Sequence, residues 1–525
     1  MRQPLERLGG LLPATIALAL PTVWIPGAVD SFVLPRASIV VAGACVGLGV
    51  ALLTPGGPGL GAMRWPIAAA AAGAVLAFAT SVSLPLSLAG AYTRYESLPV
   101  RLGYVGLFAT SVWLLRSRRS RDWVVAAFVF GTAVACFEAI LQRIGGVSFR
   151  PDGNLGNANL LAALIAMALP LAIDRGVRGG TFVVAWWIGA ADIALGLVAT
   201  TSRSGGLGAL VACLALGVFA LRGQPALRAA IAAFMVSGVA LAVILVSPLR
   251  LLNDDPAALR LHLWRDAVHM IAARPLTGWG EDATGLAFGK FLTGDWSPGV
   301  MFDRVHSGPL DIAVTQGLVP LAALAWVLVT LTRGAWLQRF SPGVGAPAAA
   351  CIGYTVWVLF NFDWAPATGA FWLLAGVAWS GVRDAEAAGE RPAAGLPSAR
   401  TAATITRSSL ALVLALAAVW FGVMPVLADV WYYQGRADLS VVVDPVQARY
   451  HWALGNSLVS RGLLQRGDDE LRHAADLGES DPSLYVDLGD LEARLGRVVL
   501  ARADYQRALE IDPYFAPARQ RLPTT

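Results

Sequence analysis

Apolar runs of about 20 residues recur along the first 430 positions, parted by short stretches holding glycine, proline and arginine. A run of that length crosses a bilayer as a helix, because only a helix satisfies its own backbone hydrogen bonds in hydrocarbon. The pattern predicts thirteen spans, at 11–29, 35–53, 66–84, 98–115, 122–142, 158–173, 181–200, 205–221, 229–249, 307–332, 346–362, 365–381 and 408–427. It breaks at 250–306, a long polar stretch with three of the five histidines (His262, His269, His306) and the only lysine, Lys290. Residues 382–407 are rich in Ala, Gly, Pro and Arg and read as a linker on the cytoplasmic side. The expected fold is all-α: a polytopic transmembrane bundle of 12–13 spans with a small helical C-terminal domain. Its parts are nine spans in 1–249, a large outer loop in 250–306, three spans in 307–381, the linker, a last span at 408–427, and a tail over 428–525.

The tail is charged and repeats itself every 34 residues. Leu454-Gly455 matches Leu488-Gly489, Gly462 matches Gly496, and Leu471 and Ala474 match Tyr505 and Ala508. The second copy resembles the tetratricopeptide pattern, with Tyr485, Leu488, Gly489, Ala501, Tyr505, Ala508 and Pro513 at its offsets. The first copy has Gly467 where a small Ala is usual. Two such units bury little alone, so a helix near 430–440 is expected to add a third layer. The module reads either as a packing spacer or as a dock for a protein partner.

Charge sets the orientation. Only 14% of residues are charged against 56% hydrophobic, which excludes a water-soluble globule of this size. With the N-terminus in the cytoplasm, Arg116, Arg118, Arg119, Arg121, Arg175, Arg178, Arg333, Arg339 and Arg383 fall inside. The short outer loops keep only Arg36, Arg94, Arg101, Arg143, Arg150 and Arg203. The 250–306 loop and the tail then both face outward. Arg2 and Arg7 precede an apolar run with no evident cleavage site, so the first helix reads as uncleaved. The net charge of +5 fits loop topology and a local anionic ligand rather than nucleic acid. Cys45, Cys136, Cys213 and Cys351 lie in apolar runs and read as small hydrophobes, without disulfide or metal spacing.

The residues suited to chemistry cluster at the outer ends of spans. Arg150 opens RPDGNLGNAN, whose Gly153 and Gly156 allow tight turns and whose Asn residues can cap a helix; it reads as an anion site or a snorkelling anchor. Arg203 in TTSRSGG sits close to hydrocarbon, where an unpaired charge is costly. Residues 257–273 suit a helix with Leu259, Leu263, Ala267 and Ile271 on one stripe and Arg260 and Trp264 on a shared face, lying on the membrane surface. His306 stands where the chain re-enters the membrane, and its ordinary pKa suits a base near neutrality. Asp303, Glu281 and Asp282 are acidic alternatives without metal-site spacing.

In this order the segments resemble the bacterial O-antigen ligase and polymerase superfamily. The pattern H-[NSQ]-x9-G-x-x-[GTY] reads His306-Ser307, nine residues, Gly317, Leu318-Val319, with Pro320 in the last place. GNLGNANLLA, SRSGG and the Arg260, Trp264 and Pro275–Gly280 segment join it, covering roughly 140–330. The resemblance implies a membrane glycosyltransferase similar to GT-C enzymes, working without a metal or other cofactor. It would move a glycan from undecaprenyl diphosphate to a lipid or protein acceptor outside the bacterial inner membrane. Arginine forks suit a diphosphate leaving group. Arg203 and Arg260 are therefore assigned to it, with Arg150 and Arg265 behind them, and His306 to activating the acceptor hydroxyl. Two alternatives stay within the class, an O-antigen polymerase and a protein oligosaccharyltransferase. A third is a transporter, for which Glu138, Asp192 and Asp311 would be the intramembrane charges, though the spans show no internal symmetry.

Overall fold

The computed structural model describes residues 2–54, 56–220, 238, 257–389 and 400–522. Every regular element among them is helical. The bundle is built from α1 (Arg2–Thr22), α2 (Val33–Leu53), α3 (Arg64–Ala79), α4 (Leu84–Ala89), α5 (Leu98–Leu114), α6 (Arg118–Ile144), α7 (Ala158–Arg178), α8 (Val183–Thr200) and α9 (Arg203–Ala220). After the interruption come α10 (Ala257–Ala273), α11 (Thr284–Phe288), α12 (Gly308–Thr315), α13 (Leu318–Leu337), α14 (Gly345–Val358) and α15 (Ala365–Gly389). The C-terminal part is α16 (Arg400–Ala418), α17 (Met424–Tyr433), α18 (Ala437–Val443), α19 (Ala448–Ser460), α20 (Leu464–Asp476), α21 (Pro482–Arg494), α22 (Val498–Ile511) and α23 (Ala516–Arg521). Eight helices in the described residues are long and apolar enough to cross a membrane, and four shorter apolar ones pack among them. The expected span at 229–249 lies outside the described residues.

Two helices form the centre. The most apolar windows of α7 and α15 are 83% and 100% buried. Their sequences are apolar all round, so each can be walled by protein on every side. α7 packs against α8, α9 and α14, and α15 against α5 and α14. Small residues set the closest crossings: a Cβ on Gly205 would stand 2.4 Å from that of Ala162 on α7. The outermost long helix is α16, which rests on α2 and continues through a π-helical turn at Val419–Val423 into α17.

Four expectations change. The span expected at 307–332 is two helices, α12 and α13, broken at Gln316–Gly317. Gly317 has φ +90°, and a Cβ there would lie 2.4 Å from the Leu276 backbone. The linker is helical up to Gly389 and again from Arg400. The third layer beside the repeats is split into α17 and α18. Arg36, counted as a loop charge, is fully buried in α2, where it donates to the carbonyls of Leu20, Phe32 and Asn154 at 2.7, 2.7 and 2.9 Å.

The two tail hairpins, α19–α20 and α21–α22, begin 34 residues apart. They pack onto the end of the bundle that carries the 257–306 loop. Asp429, fully buried, accepts from Tyr92 Oη at 2.6 Å, Tyr450 Oη at 3.2 Å and Asp30 N at 2.8 Å. Gln447 donates to the Gly90 carbonyl at 3.2 Å. A Cβ on Gly289 would lie 2.2 Å from the Ile511 carbonyl oxygen, so loop and α22 meet backbone to backbone.

Candidate functional site

The 257–306 loop folds on itself. α10 turns Leu263, Ala267 and Met270 inward onto Ala287, Phe288, Val305 and Val314. Its expected apolar stripe is thus covered by the loop's own residues, with only Leu263 and Ala267 of the stripe fully buried. Trp264 Nε1 donates to the Val305 carbonyl at 3.0 Å, which fixes the segment just before His306. Asp266 is fully buried and accepts from Thr293 Oγ1 at 2.8 Å and Trp296 Nε1 at 3.0 Å. The Pro275–Gly280 segment then crosses the α12–α13 break. Trp279 N donates to Val314 O at 2.9 Å, Gly280 N to Thr315 O at 2.8 Å, and Leu318 N to Pro275 O at 2.7 Å. Gly278 (φ +65°) and Gly317 permit this approach, which gives both motif glycines one physical reason.

The candidates meet at the short turn between α14 and α15, Phe360–Trp364. Arg260 Nη1 donates to the Phe360 carbonyl at 2.7 Å. Asn361 Nδ2 donates to Ser204 Oγ at 3.0 Å, beside Arg203 at the start of α9. The His306 ring stands edge-on to Phe362, centroids 5.1 Å apart. Arg94 lies over Phe362 and Trp364 at 5.1 and 5.0 Å, and grips Asp303 through two hydrogen bonds of 2.5 and 3.1 Å. Arg203 is exposed and makes no hydrogen bond or ion pair with a described residue. Arg150 stands one step further out. It donates to the Thr200 carbonyl at 3.0 Å and to Asn159 Oδ1 at 3.1 Å, and Ser202 donates to the same Asn159 oxygen at 2.9 Å. Arg265 is exposed on another face of α10 and is not brought to this turn.

Beneath the turn lies a buried ionic cluster that sequence reasoning missed. Arg101, 6% exposed, faces Asp363 at 2.8 Å, Glu281 at 3.0 Å and Glu96 at 3.5 Å. Arg304, 1% exposed, bonds Asp282 and also Asp311, the latter at 2.8 Å. Glu281, Asp282 and Asp311 are therefore each paired with a buried arginine. Five carboxylates face two guanidinium groups. Burial pushes Glu96 up to about 7, against the attraction of Arg101 and Arg304, and Tyr104 Oη donates to it at 2.5 Å. Burial likewise raises Glu281. His306, two residues after Arg304, has φ +55°, a costly conformation for a residue with a Cβ. Asp311 also accepts from Val305 N at 3.2 Å, so the clasp holds the backbone on the N-terminal side of His306.

A cavity of about 330 Å³ runs below, between α3, α5, α12, α13, α14 and α15. Arg101, Tyr104, Tyr354, Asp363 and Thr368 form its polar end, and Gly308 and Pro309 close it beneath His306. Apart from Gln316 and Thr355 the rest of the lining is apolar, and Ala325 on α13 is exposed at the bundle's flank.

Fold and site together describe a polytopic membrane protein whose cationic and histidine side chains gather at one end of the bundle, above an apolar cavity. Residues 188–325 match the family model described as O-antigen ligase. That stretch runs from α8 into α13 and contains Arg203, Arg260, Arg265 and His306; Arg150, Glu96, Arg101 and the Phe360–Trp364 turn lie outside it. No curated protein matches the chain. The match supports a membrane glycosyltransferase of the O-antigen ligase or polymerase type.

Proposed function

We propose that the protein transfers a glycan from an undecaprenyl-diphosphate carrier to a hydroxyl of lipid A-core, at the outer face of a bacterial inner membrane. The observation that carries this reading is the meeting of Arg260, His306 and the start of α9 on one turn, all three drawn from the matched stretch. Arg203 and Arg260 hold the diphosphate, and Arg150 adds positive charge further out. His306 takes the proton of the acceptor hydroxyl as its oxygen attacks the anomeric carbon. The bond from that carbon to the diphosphate oxygen breaks, and the diphosphate leaves with the electron pair, its charge met by the arginines. Attack opposite the leaving group inverts the anomeric centre. The cavity under His306 gives a hydrocarbon chain a sideways entry from the membrane. We read the tail as a tetratricopeptide-type pair, on its 34-residue spacing, that braces the loop carrying His306 and offers a surface for a protein partner.

The test incubates purified protein with a polyprenyl-diphosphate glycan and lipid A-core, and follows product by mass. A product heavier by one glycan, with release of the diphosphate lipid, is expected. Linkage of glycan to glycan on the carrier would make the enzyme a polymerase. Turnover of no lipid-linked donor, with the fold intact, would refute the reading.

A further inference from the structure

A second cavity, of about 610 Å³, opens at the same end of the bundle, between the α1–α2 and α6–α7 loops. Three aromatic rings line it. Trp24 and Phe32 stack with centroids 6.4 Å apart and 20° between planes, and Trp24 and Phe149 are 46% and 52% exposed. Gly156, at φ +71°, makes room for the Phe32 ring; a Cβ there would stand 2.6 Å from it. Gln142 shapes the opposite wall, accepting from Asp152 N and Gly153 N at 3.0 Å each and donating to the Gly153 carbonyl at 2.7 Å. Glu138 lines the cavity without a hydrogen bond to any described residue, and the side-chain nitrogens (Nδ2) of Asn157 and Asn159 also make none to one. Flat apolar faces beside carboxylates and amides are complementary to a sugar ring, which has an apolar C–H face and a rim of hydroxyls.

We propose that this cavity is a glycan subsite, which takes sugar rings of the donor beyond the one attached to the diphosphate. The inference rests on the transfer reading above. Position supports it: Asn159, a wall residue, is bonded to Ser202, the neighbour of Arg203. A glycan leaving a diphosphate held at Arg203 meets this wall next. Glu138 and Asp152 define the class of sugar. They accept from hydroxyl, amide or ammonium donors; against these two carboxylates the lining holds one guanidinium, Arg150, which bonds the Thr200 carbonyl and Asn159 Oδ1, so the rings are neutral or amino sugars.

The experiment compares two polyprenyl-diphosphate donors, one with the full glycan and one trimmed to its first sugar, using the full-length protein. Trp24→Ala and Glu138→Gln each raise KM for the full donor about tenfold, the scale of one aromatic ring contact for Trp24 and of one hydrogen bond to a charged group for Glu138, and remove its advantage over the trimmed donor. Trp24→Phe keeps a ring and keeps most of that advantage. An unchanged advantage in both variants, or equal losses on both donors as expected of a mere membrane-interface anchor, overturns the subsite while wild-type turnover upholds the transfer reading. If the wild type uses neither donor, the transfer reading fails. The subsite is then judged by saturation-transfer NMR with free glycan released from the source cells' lipid-linked pool. Transfer to sugar C–H protons that Trp24→Ala removes supports it, and no transfer overturns it.

Discussion

Arg304→Met removes the one cation bonded to both Asp282 and Asp311. Arg304 is 1% exposed, and neither carboxylate side chain has measurable exposure, so no water can replace the lost partner. Breaking a buried pair by deleting one member costs about 3–5 kcal/mol. That cost falls on the segment the pair closes, from 280 to about 312, rather than on the α7–α15 core. At 1.4 kcal/mol per factor of ten, protection of its amides against hydrogen exchange should fall roughly 100- to 4,000-fold. Peptides from α7 should be unaffected. The left-handed backbone at His306 then relaxes, and turnover falls with it. Adding Asp282→Asn and Asp311→Asn removes the unpaired charges, while the amide oxygens still accept from Ala91 N, Glu96 N and Val305 N. Most protection should return in that triple variant. Exchange mass spectrometry on the purified protein decides the matter. A single variant within tenfold of wild type, or a triple variant no better protected than the single, would refute the clasp argument.

His306→Ala should lower turnover roughly 100- to 10,000-fold with donor binding nearly intact, and should remove the acidic limb of the pH–rate profile; loss of donor binding instead would put His306 in the diphosphate site and the base elsewhere, with Asp303, which Arg94 would first have to release, the next candidate. Arg260→Ala should weaken donor binding and turnover together, and Arg260→Lys should not restore them, because the lysine lacks the planar fork. Both follow from kinetics and binding on the same preparations. With Glu96 raised from 4.5 to about 7, the folded chain holds a proton that the unfolded chain has lost between those values. Stability therefore falls as pH rises through that window, by on the order of 3 kcal/mol, and Glu96→Gln should flatten the dependence in urea or thermal unfolding. Cysteines placed at Val300 and Val499, 55% and 84% exposed, should both react with an impermeant reagent on intact cells; reaction at one alone would contradict their packing at one end.

Hydropathy exposes what the bilayer constrains, and it exposes little else. Run length foretold nearly every membrane-length helix, because a segment in hydrocarbon must be apolar for about 20 residues. It could not see the α12–α13 break. Ile312 to Leu321 stays apolar around Gln316, and only the φ of Gly317 parts the two helices. The signal was the glycine of the His306 motif, which has meaning only once Leu276 is known to lie against it. The stripe on α10 was legible as amphipathic, yet its period is the same whether lipid or Phe288 covers it.

The site divides along the same line. Arg203 and His306 were legible as candidates because each is a polar residue at the edge of an apolar run, where charge is costly, and Arg260 because it shares a helix face with Trp264 inside the polar stretch. Their supports were not. Glu96, Arg101, Glu281, Arg304 and Asp363 are spread over 268 positions and share no spacing; only the folding of the segment before α5, the 257–306 loop and the α14–α15 turn onto Arg101 of α5 makes them neighbours. The turn that gathers the candidates was hidden for a further reason. Residues 346–362 and 365–381 read as two spans with almost nothing between them, so Asn361-Phe362-Asp363-Trp364 left no room for a loop. That brevity is itself the device. A turn this short, with Asp363 bonded to Tyr354 at 3.0 Å and to Arg101, is rigid enough to set Phe362 against His306 and the Phe360 carbonyl against Arg260. A longer loop would leave two flexible side chains to find the same geometry at an entropic cost on each turnover.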